Sequence, residues 1–392
     1  MWMPERTRRA ARRVAWVLTV VALGLAPTAV AEEPTRVTMR RVLTALSELL
    51  PAALADQLDA AGGEDPRIVD AVEALQSAAA ELESHAPEAN APFAFLSRSL
   101  DRDARAIRAR IDAGRYPDAA YRTLRMTQTC VACHSRLPAA EGPGFASQLV
   151  SSLDVVPLGR PQAARLDVAT RQFDRALGRY ESLMRDPKEP AAALDYSGAL
   201  AEYLIVALRV RNEPTRARET LEKLATRPDL TLGLARALPV WIAALDQLAP
   251  ILAGEPSLVA ARRVLADGRS LAEERGARID LIHRVVVSSL IYRCIEQGKV
   301  RGPERAEALL LLGETDAFVR RSFERSEAQL YLEEAIRLAP GTEVARRAYV
   351  RLEDETLLGF TGSSGLHLPI EVEERLAELR ALSEGETLDE AR

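Results

Sequence analysis

Cysteine, histidine and aromatic residues are scarce in this chain, and so is any sign of β-strand. Three cysteines and four histidines occur in 392 residues, and Phe, Trp and Tyr together make up 5%. No stretch alternates apolar and polar residues convincingly, so a sheet-based fold is not expected. Ala, Leu, Arg and Glu are abundant instead, and the composition predicts an all-α protein. No polybasic stripe occurs, which argues against nucleic acid as a partner. One Gly/Ser-rich run stands out beyond the N-terminus, Gly359-Phe360-Thr361-Gly362-Ser363-Ser364-Gly365 followed by Leu366-His367-Leu368-Pro369. It lacks the Gly-Lys-Ser/Thr ending of a phosphate loop, and reads as a connector to a last short helix, with nothing to place His367 at a site.

What is present begins at the N-terminus. Arg6, Arg8, Arg9, Arg12 and Arg13 precede an apolar run from Val14 to Leu25, and small residues lead to Ala29-Val30-Ala31 before Glu32. This order predicts a secretory signal peptide over residues 1–31, cleaved near Ala31. Removing it takes away five Arg and one Glu and leaves 47 cationic against 56 anionic side chains. No later apolar run is expected to span a bilayer.

Two of the three cysteines and one of the four histidines fall within five residues, Cys130-Val131-Ala132-Cys133-His134. Two thiols at this spacing can each bond one vinyl carbon of a single porphyrin, and the adjacent imidazole can take an axial position on its iron. A zinc site would need about two further ligands at suitable spacing, and none lies nearby. The motif therefore predicts one covalently attached haem c on Cys130 and Cys133, with His134 as an iron ligand. Such haem is attached outside the bacterial cytoplasm, so the leader and the motif support a periplasmic location. Cys294, in the apolar stretch Leu290-Ile291-Tyr292-Arg293-Cys294-Ile295, is expected to be a buried, inert thiol.

Residues 32–137 divide into four helical segments. The first, about Thr35 to Leu58, carries Met39, Val42, Leu43, Leu46, Leu49 and Leu50 on one face, with Pro51 as a weak point. The second opens at Asp65-Pro66, a cap followed by a proline that needs no donor, and ends near His85. The third runs from about Pro92 to Ala113 and stops at Gly114. The fourth opens at Tyr116-Pro117-Asp118 and carries the haem motif at its far end. Short connections make successive helices antiparallel. Met39, His85, Phe93 and Phe95 then fall at the same end as the motif.

An antiparallel four-helix bundle with Cys-x-x-Cys-His near the end of its last helix resembles the cytochrome c-prime and cytochrome c556 family. The likeness covers about the first third of the mature chain. It implies that His134 is the proximal iron ligand and that Met39, on the first helix, is a candidate for the sixth position. The helix count, independently, puts Phe93 and Phe95 where they can meet the ring. The family's aromatic-then-arginine ending after the motif is replaced here by Ser135-Arg136-Leu137, leaving Arg136, Arg40 and Arg41 as candidates for a haem propionate. His85 and an open position are the alternatives to Met39. Met126, two turns before His134 on the same helix, is expected to pack beside the ring.

Residues 138–163, with Glu141-Gly142-Pro143-Gly144 and Pro157-Leu158-Gly159-Arg160-Pro161, read as a linker. From 164 to 360 the pattern becomes pairs of helices of near-tetratricopeptide length. The expected pairs are Leu166–Met184 with Ala191–Val210, Thr215–Ala225 with Leu230–Leu248, Leu258–Arg275 with Ile279–Gln297, and Glu327–Leu338 with Thr342–Leu357. The run Tyr331 to Pro340 resembles the end of a tetratricopeptide unit, with Ala335 and Pro340 at its small-residue and proline places. Pairs of this kind stack into a solenoid whose concave face binds proteins. A loop and final helix fill 361–392.

The sequence thus predicts an all-α protein with an N-terminal four-helix haem bundle and a tetratricopeptide-like solenoid. Its expected role is a soluble periplasmic monohaem electron carrier that docks a protein redox partner or complex subunit through its repeats. The alternative is a gas-binding or redox-sensing haem protein with an open sixth position. Neither serine nor cysteine nucleophiles can be assembled into a constellation, and no acid–base cluster or second haem motif is evident, which weighs against an enzyme such as a peroxidase.

Overall fold

The computed structural model describes residues 34–54, 65–85, 91–136, 142, 144–153, 155, 158–276, 278–319, 327–363 and 365–386. The expected leader, residues 1–31, lies outside the described residues. The protein is all-α, as expected: the described residues form seventeen helices, and the only strands among them are two of two residues each.

The first four helices are α1 (Pro34–Leu54), α2 (Pro66–Ser84), α3 (Ala91–Asp112) and α4 (Tyr116–His134). Local chemistry sets their ends. Asp65 caps α2 by accepting from the Arg67 backbone N–H at 2.9 Å, and Pro66 occupies the first turn. Gly114 takes a φ of +66° after α3, a conformation that costs a residue with a Cβ but not glycine. Each helix packs on the next, and α4 returns to α1. The shared core holds Val42, Leu46, Leu49 and Leu50 of α1, Val72, Leu75 and Leu82 of α2, Leu100, Ile107 and Ile111 of α3, and Met126 of α4.

The 138–163 segment is more than the linker expected. It contains α5 (Gly144–Ser152), and α6 begins inside it at Arg160 and runs to Ala169. Leu149, Val150 and Leu153 join the first core. Their spacing gives a short apolar face that the flanking glycines and prolines obscure.

The second half contains α7 (Phe173–Arg185), α8 (Ala191–Tyr196), α9 (Ala199–Leu204), α10 (Pro214–Ala225), α11 (Leu232–Ala253), α12 (Leu258–Arg275), α13 (Leu281–Glu296), α14 (Gly302–Val319), α15 (Glu327–Leu338), α16 (Glu343–Phe360) and α17 (Ile370–Glu384). A second core runs from Ala164 to Leu379. The expected pairs after residue 214 match these helices closely. The first pair does not: Leu166–Met184 is broken at 170–172, where Arg171 has a φ of +58°, and Ala191–Val210 is broken at Gly198, with a φ of +80°. Beyond α9, residues Ile205–Val210 form a π-helical turn, in which the Arg211 N–H bonds back to the Val206 carbonyl at 2.9 Å. The sequence pairing also passed over α14, whose Leu309, Leu310 and Leu312 are buried.

α11 corrects a second expectation. It is long and apolar enough to meet the length and composition criteria for a membrane span. Its Leu238, Trp241, Leu245 and Leu248 are buried in the second core, against α10 and α13, while most of its other residues are half-buried or exposed.

At the far end, the Gly/Ser run forms a small exposed hairpin, β1 (Thr361–Gly362) with β2 (Gly365–Leu366), and α17 then folds back on α15 and α16. The Gly341 N–H donates to the Leu382 carbonyl at 3.0 Å. A Cβ on Gly341 would stand 3.1 Å from the Gly385 Cα, and both glycines have positive φ. Arg337 bonds Glu378 at 3.0 Å, and Arg375 pairs with Glu333.

Candidate functional site

The Cys-x-x-Cys-His motif occupies the last turn of α4. Its two cysteines are free thiols, Cys130 buried and Cys133 half-buried. Burial pushes the Cys130 thiol up to about 12, with the neighbouring Cys133 adding to the effect. Burial also raises Cys133. Both therefore stand as neutral thiols at pH 7, suited to addition across a vinyl group only once something draws off the proton. Burial, and then the charge of Arg171, lowers His134 to about 4, against the pull of the Ala169 and Val168 backbone groups. Its imidazole is neutral at pH 7, and its Nδ1 is a buried atom with no hydrogen-bond partner. Two neutral thiols one helical turn apart and a neutral imidazole at the same helix end are the donor set that a covalently held haem requires. The residues fit the group: Cys130 and Cys133 would hold it and His134 would face its iron. Among the described residues no cluster of three or more His, Cys, Asp or Glu is arranged to hold a bare metal ion.

The helix ends that carry the other candidates lie together. The Thr38 hydroxyl of α1 donates to Glu81 of α2 at 3.2 Å, and Arg98 of α3 bonds Glu83 of α2 at 3.1 Å. Met39 and Phe93 are half-buried against the first core, and Phe95 is half-buried at the start of α3. His85 sits at the end of α2, with Nε2 3.9 Å from Glu81 and Nδ1 buried without a partner. Met126 is buried in the first core. Arg41 pairs with Glu81 and reaches Ser77 at 3.2 Å, and with Arg40 it lines a groove between α1 and α2. Cys294 is buried in the second core, and burial raises its thiol.

Around the motif stand Arg136, one of the expected propionate candidates, and residues that sequence reasoning did not single out. α4 packs on α6, and Val131 packs against the second core. Arg136 lies 5.0 Å from the Tyr292 ring centroid and 5.9 Å from that of Tyr331. The Tyr292 hydroxyl is 2.6 Å from Asp316 and 3.0 Å from the Tyr331 hydroxyl, and Tyr331 is 2.7 Å from Glu327. Arg209, on the π-helical turn, is fully buried. It donates to Ser288 at 2.6 Å and Asp316 at 3.2 Å, and its guanidinium lies 4.9 Å from the Tyr292 ring. It also reaches the Ser135 carbonyl at 3.5 Å. One signal was available in the sequence: Arg209 is a lone charge in the apolar run Ile205-Val206-Ala207-Leu208-Arg209-Val210. An arginine in such a run is buried only with partners.

No protein family, no curated protein and no solved structure matches this chain.

Proposed function

We propose that this protein is an exported c-type cytochrome that carries one electron at a time. Its four N-terminal helices are a haem bundle of the cytochrome c-prime type, and its second half is a tetratricopeptide-like array that docks a protein redox partner or a complex subunit. The observation that carries the reading is the pairing, at one helix end, of two neutral thiols with a neutral imidazole whose Nδ1 is unpartnered. Bound there, the haem iron supplies a reversible one-electron couple.

The chain's own residues supply the rest. Cys130 and Cys133 tether the group and fix its orientation, so that no ligand exchange is needed to retain it. His134 ligates the iron from the end of α4. Phe93, Phe95 and the first core shield one side from water, which sets the dielectric in which the charge changes. Met39 is the candidate sixth ligand, with His85 as its rival. The protein acts without catalysing a reaction of its own. It works in the periplasm once residues 1–31 are removed.

A second reading, gas binding or redox sensing at an open sixth position, is favoured by the packing of Met39 against the first core. A methionine held there by its neighbours has to leave them to reach an iron. Visible spectra of the haem-loaded protein in both oxidation states separate the two. A low-spin spectrum with a methionine–iron band that Met39→Ala abolishes supports electron transfer. A high-spin spectrum that shifts with carbon monoxide overturns the Met39 assignment and selects the second reading. Absence of any covalently bound haem from protein produced in a host that attaches it overturns both.

A further inference from the structure

The haem motif does not end in solvent. The residues that follow His134 run into the second half of the chain and meet a buried, charged network there. Arg209 lies at its centre, with no exposure to solvent, on a π-helical turn. Turns of this kind insert an extra residue into a helix, re-aim a side chain, and occur frequently at functional sites. Here the side chain re-aimed is a cation in an apolar segment. Its guanidinium is held by Ser288 at 2.6 Å on α13 and by Asp316 at 3.2 Å on α14. Arg136, two residues past His134, stacks on the other members of the network, the Tyr292 and Tyr331 rings. The Arg209 contact with the Ser135 carbonyl lies between them.

We infer that Arg209, braced by Asp316, Ser288 and Tyr292, is a positioning residue that clamps the Ser135-Arg136 end of α4 onto the second half and so fixes the orientation of His134. The inference rests on the haem reading for its consequence but not for the clamp. A helix C-terminus leaves carbonyls without intrahelical partners, and the last turn frays unless they are held. Here a buried cation from 74 residues away reaches one of them. A cation fixed near the haem also stabilises the electron-rich, reduced form. The second half of the chain thereby sets two properties of the first: the rigidity of the axial histidine and the reduction potential.

The test uses the full chain in haem-free and haem-loaded forms. Four variants are compared with wild type: Arg209→Met, Arg209→Lys, Arg209→Met with Asp316→Asn, and Leu379→Ala. The last removes buried volume from the second core outside the network. Hydrogen exchange of residues 130–136 is measured on the haem-free protein. Exchange rises by at least about tenfold in both Arg209→Met variants, stays near wild type in Leu379→Ala, and is partly restored in Arg209→Lys. In the loaded protein the potential shifts downward in Arg209→Met and less in the double variant, where the Asp316 charge paired with Arg209 goes too, and the histidine-ligand signature in the low-temperature electron paramagnetic resonance spectrum broadens in both. The double variant keeps the measurement valid if Asp316 alone, left unpaired, prevents folding.

Unchanged exchange at 130–136 overturns the clamp. Raised exchange with an unchanged potential in the loaded protein overturns the tuning of the haem. A wild-type chain that takes up no haem overturns the function proposed above and the tuning with it, while the exchange result still decides the clamp.

Discussion

Arg209 and Asp316, 107 residues apart in the chain, form a salt bridge at 3.2 Å in which neither side chain has appreciable contact with water. Such a pair is worth little over apolar residues of the same volume, but removing one partner strands a buried charge. Asp316→Asn or Arg209→Met is therefore expected to cost about 3–5 kcal/mol in denaturant unfolding. The double substitution is expected to cost clearly less than the sum of the two. Additive losses would mean that the two side chains do not act as a pair.

The cysteine pair gives a second expectation. With both Cys130→Ala and Cys133→Ala in place, haem no longer survives denaturing electrophoresis, and the mass increment of the group disappears from the intact chain. Either single variant keeps one thioether and a reduced yield. Equal covalent loading in the double variant would remove these residues from the site.

The third concerns pH. Burial lowers His134 from its ordinary 6.5 to about 4 in the folded, haem-free chain. The unfolded chain then binds more protons than the folded one between those values, so stability rises with pH through this window and is lost as the pH falls from 6.5 towards 4. The loss has an upper bound of about 3 kcal/mol, at about 1.4 kcal/mol per unit. Urea midpoints of the haem-free protein at several pH values show it as a slope, and His134→Gln flattens that slope. A slope unchanged by the substitution would assign the acid sensitivity to other groups.

A fourth lies at the contact of α14 with α15. A Cβ on Gly313 would stand 2.5 Å from Leu332 Cγ and 2.6 Å from its Cδ2. Leu332 is fully buried, so it has nowhere to retreat. Gly313→Ala gains helix propensity but overpacks this contact, and a net loss of about 1–3 kcal/mol is expected from thermal or denaturant unfolding. A neutral or stabilising result would show that the two helices separate at little cost.

Two helix ends were legible because one residue sets each: Asp65-Pro66 opens α2 and Gly114 closes α3. Ser257 and Thr342, which cap α12 and α16 by accepting from the Ala260 and Ala345 N–H groups, were not singled out as caps, though their chemistry is equally local. Those signals depend only on near neighbours. The π-helical turn did not show, because its apolar residues read equally well as ordinary helix. The break at Arg171 was hidden for a related reason: a non-glycine residue with positive φ is held there by tertiary structure, not by local preference. The motif Cys130–His134 was plain because its chemistry is local. Its surroundings were not, since periodicity tells which face of α13 or α14 is apolar but not that Tyr292 and Asp316 reach the residues beyond His134. Arg209 carried a readable signal, a charge in an apolar run, but no indication of which anion answers it.

The fold-back of α17 has a bearing on how molecules meet one another. A stack of helices leaves an apolar face at each end, and a like molecule offers a matching one. In this protein α17 lies over α15 and α16, buries Leu376 and Leu379, and seals the turn where Gly341 meets Gly385. The face of α15 and α16 that α17 covers is therefore taken up within the molecule and is not offered to another one.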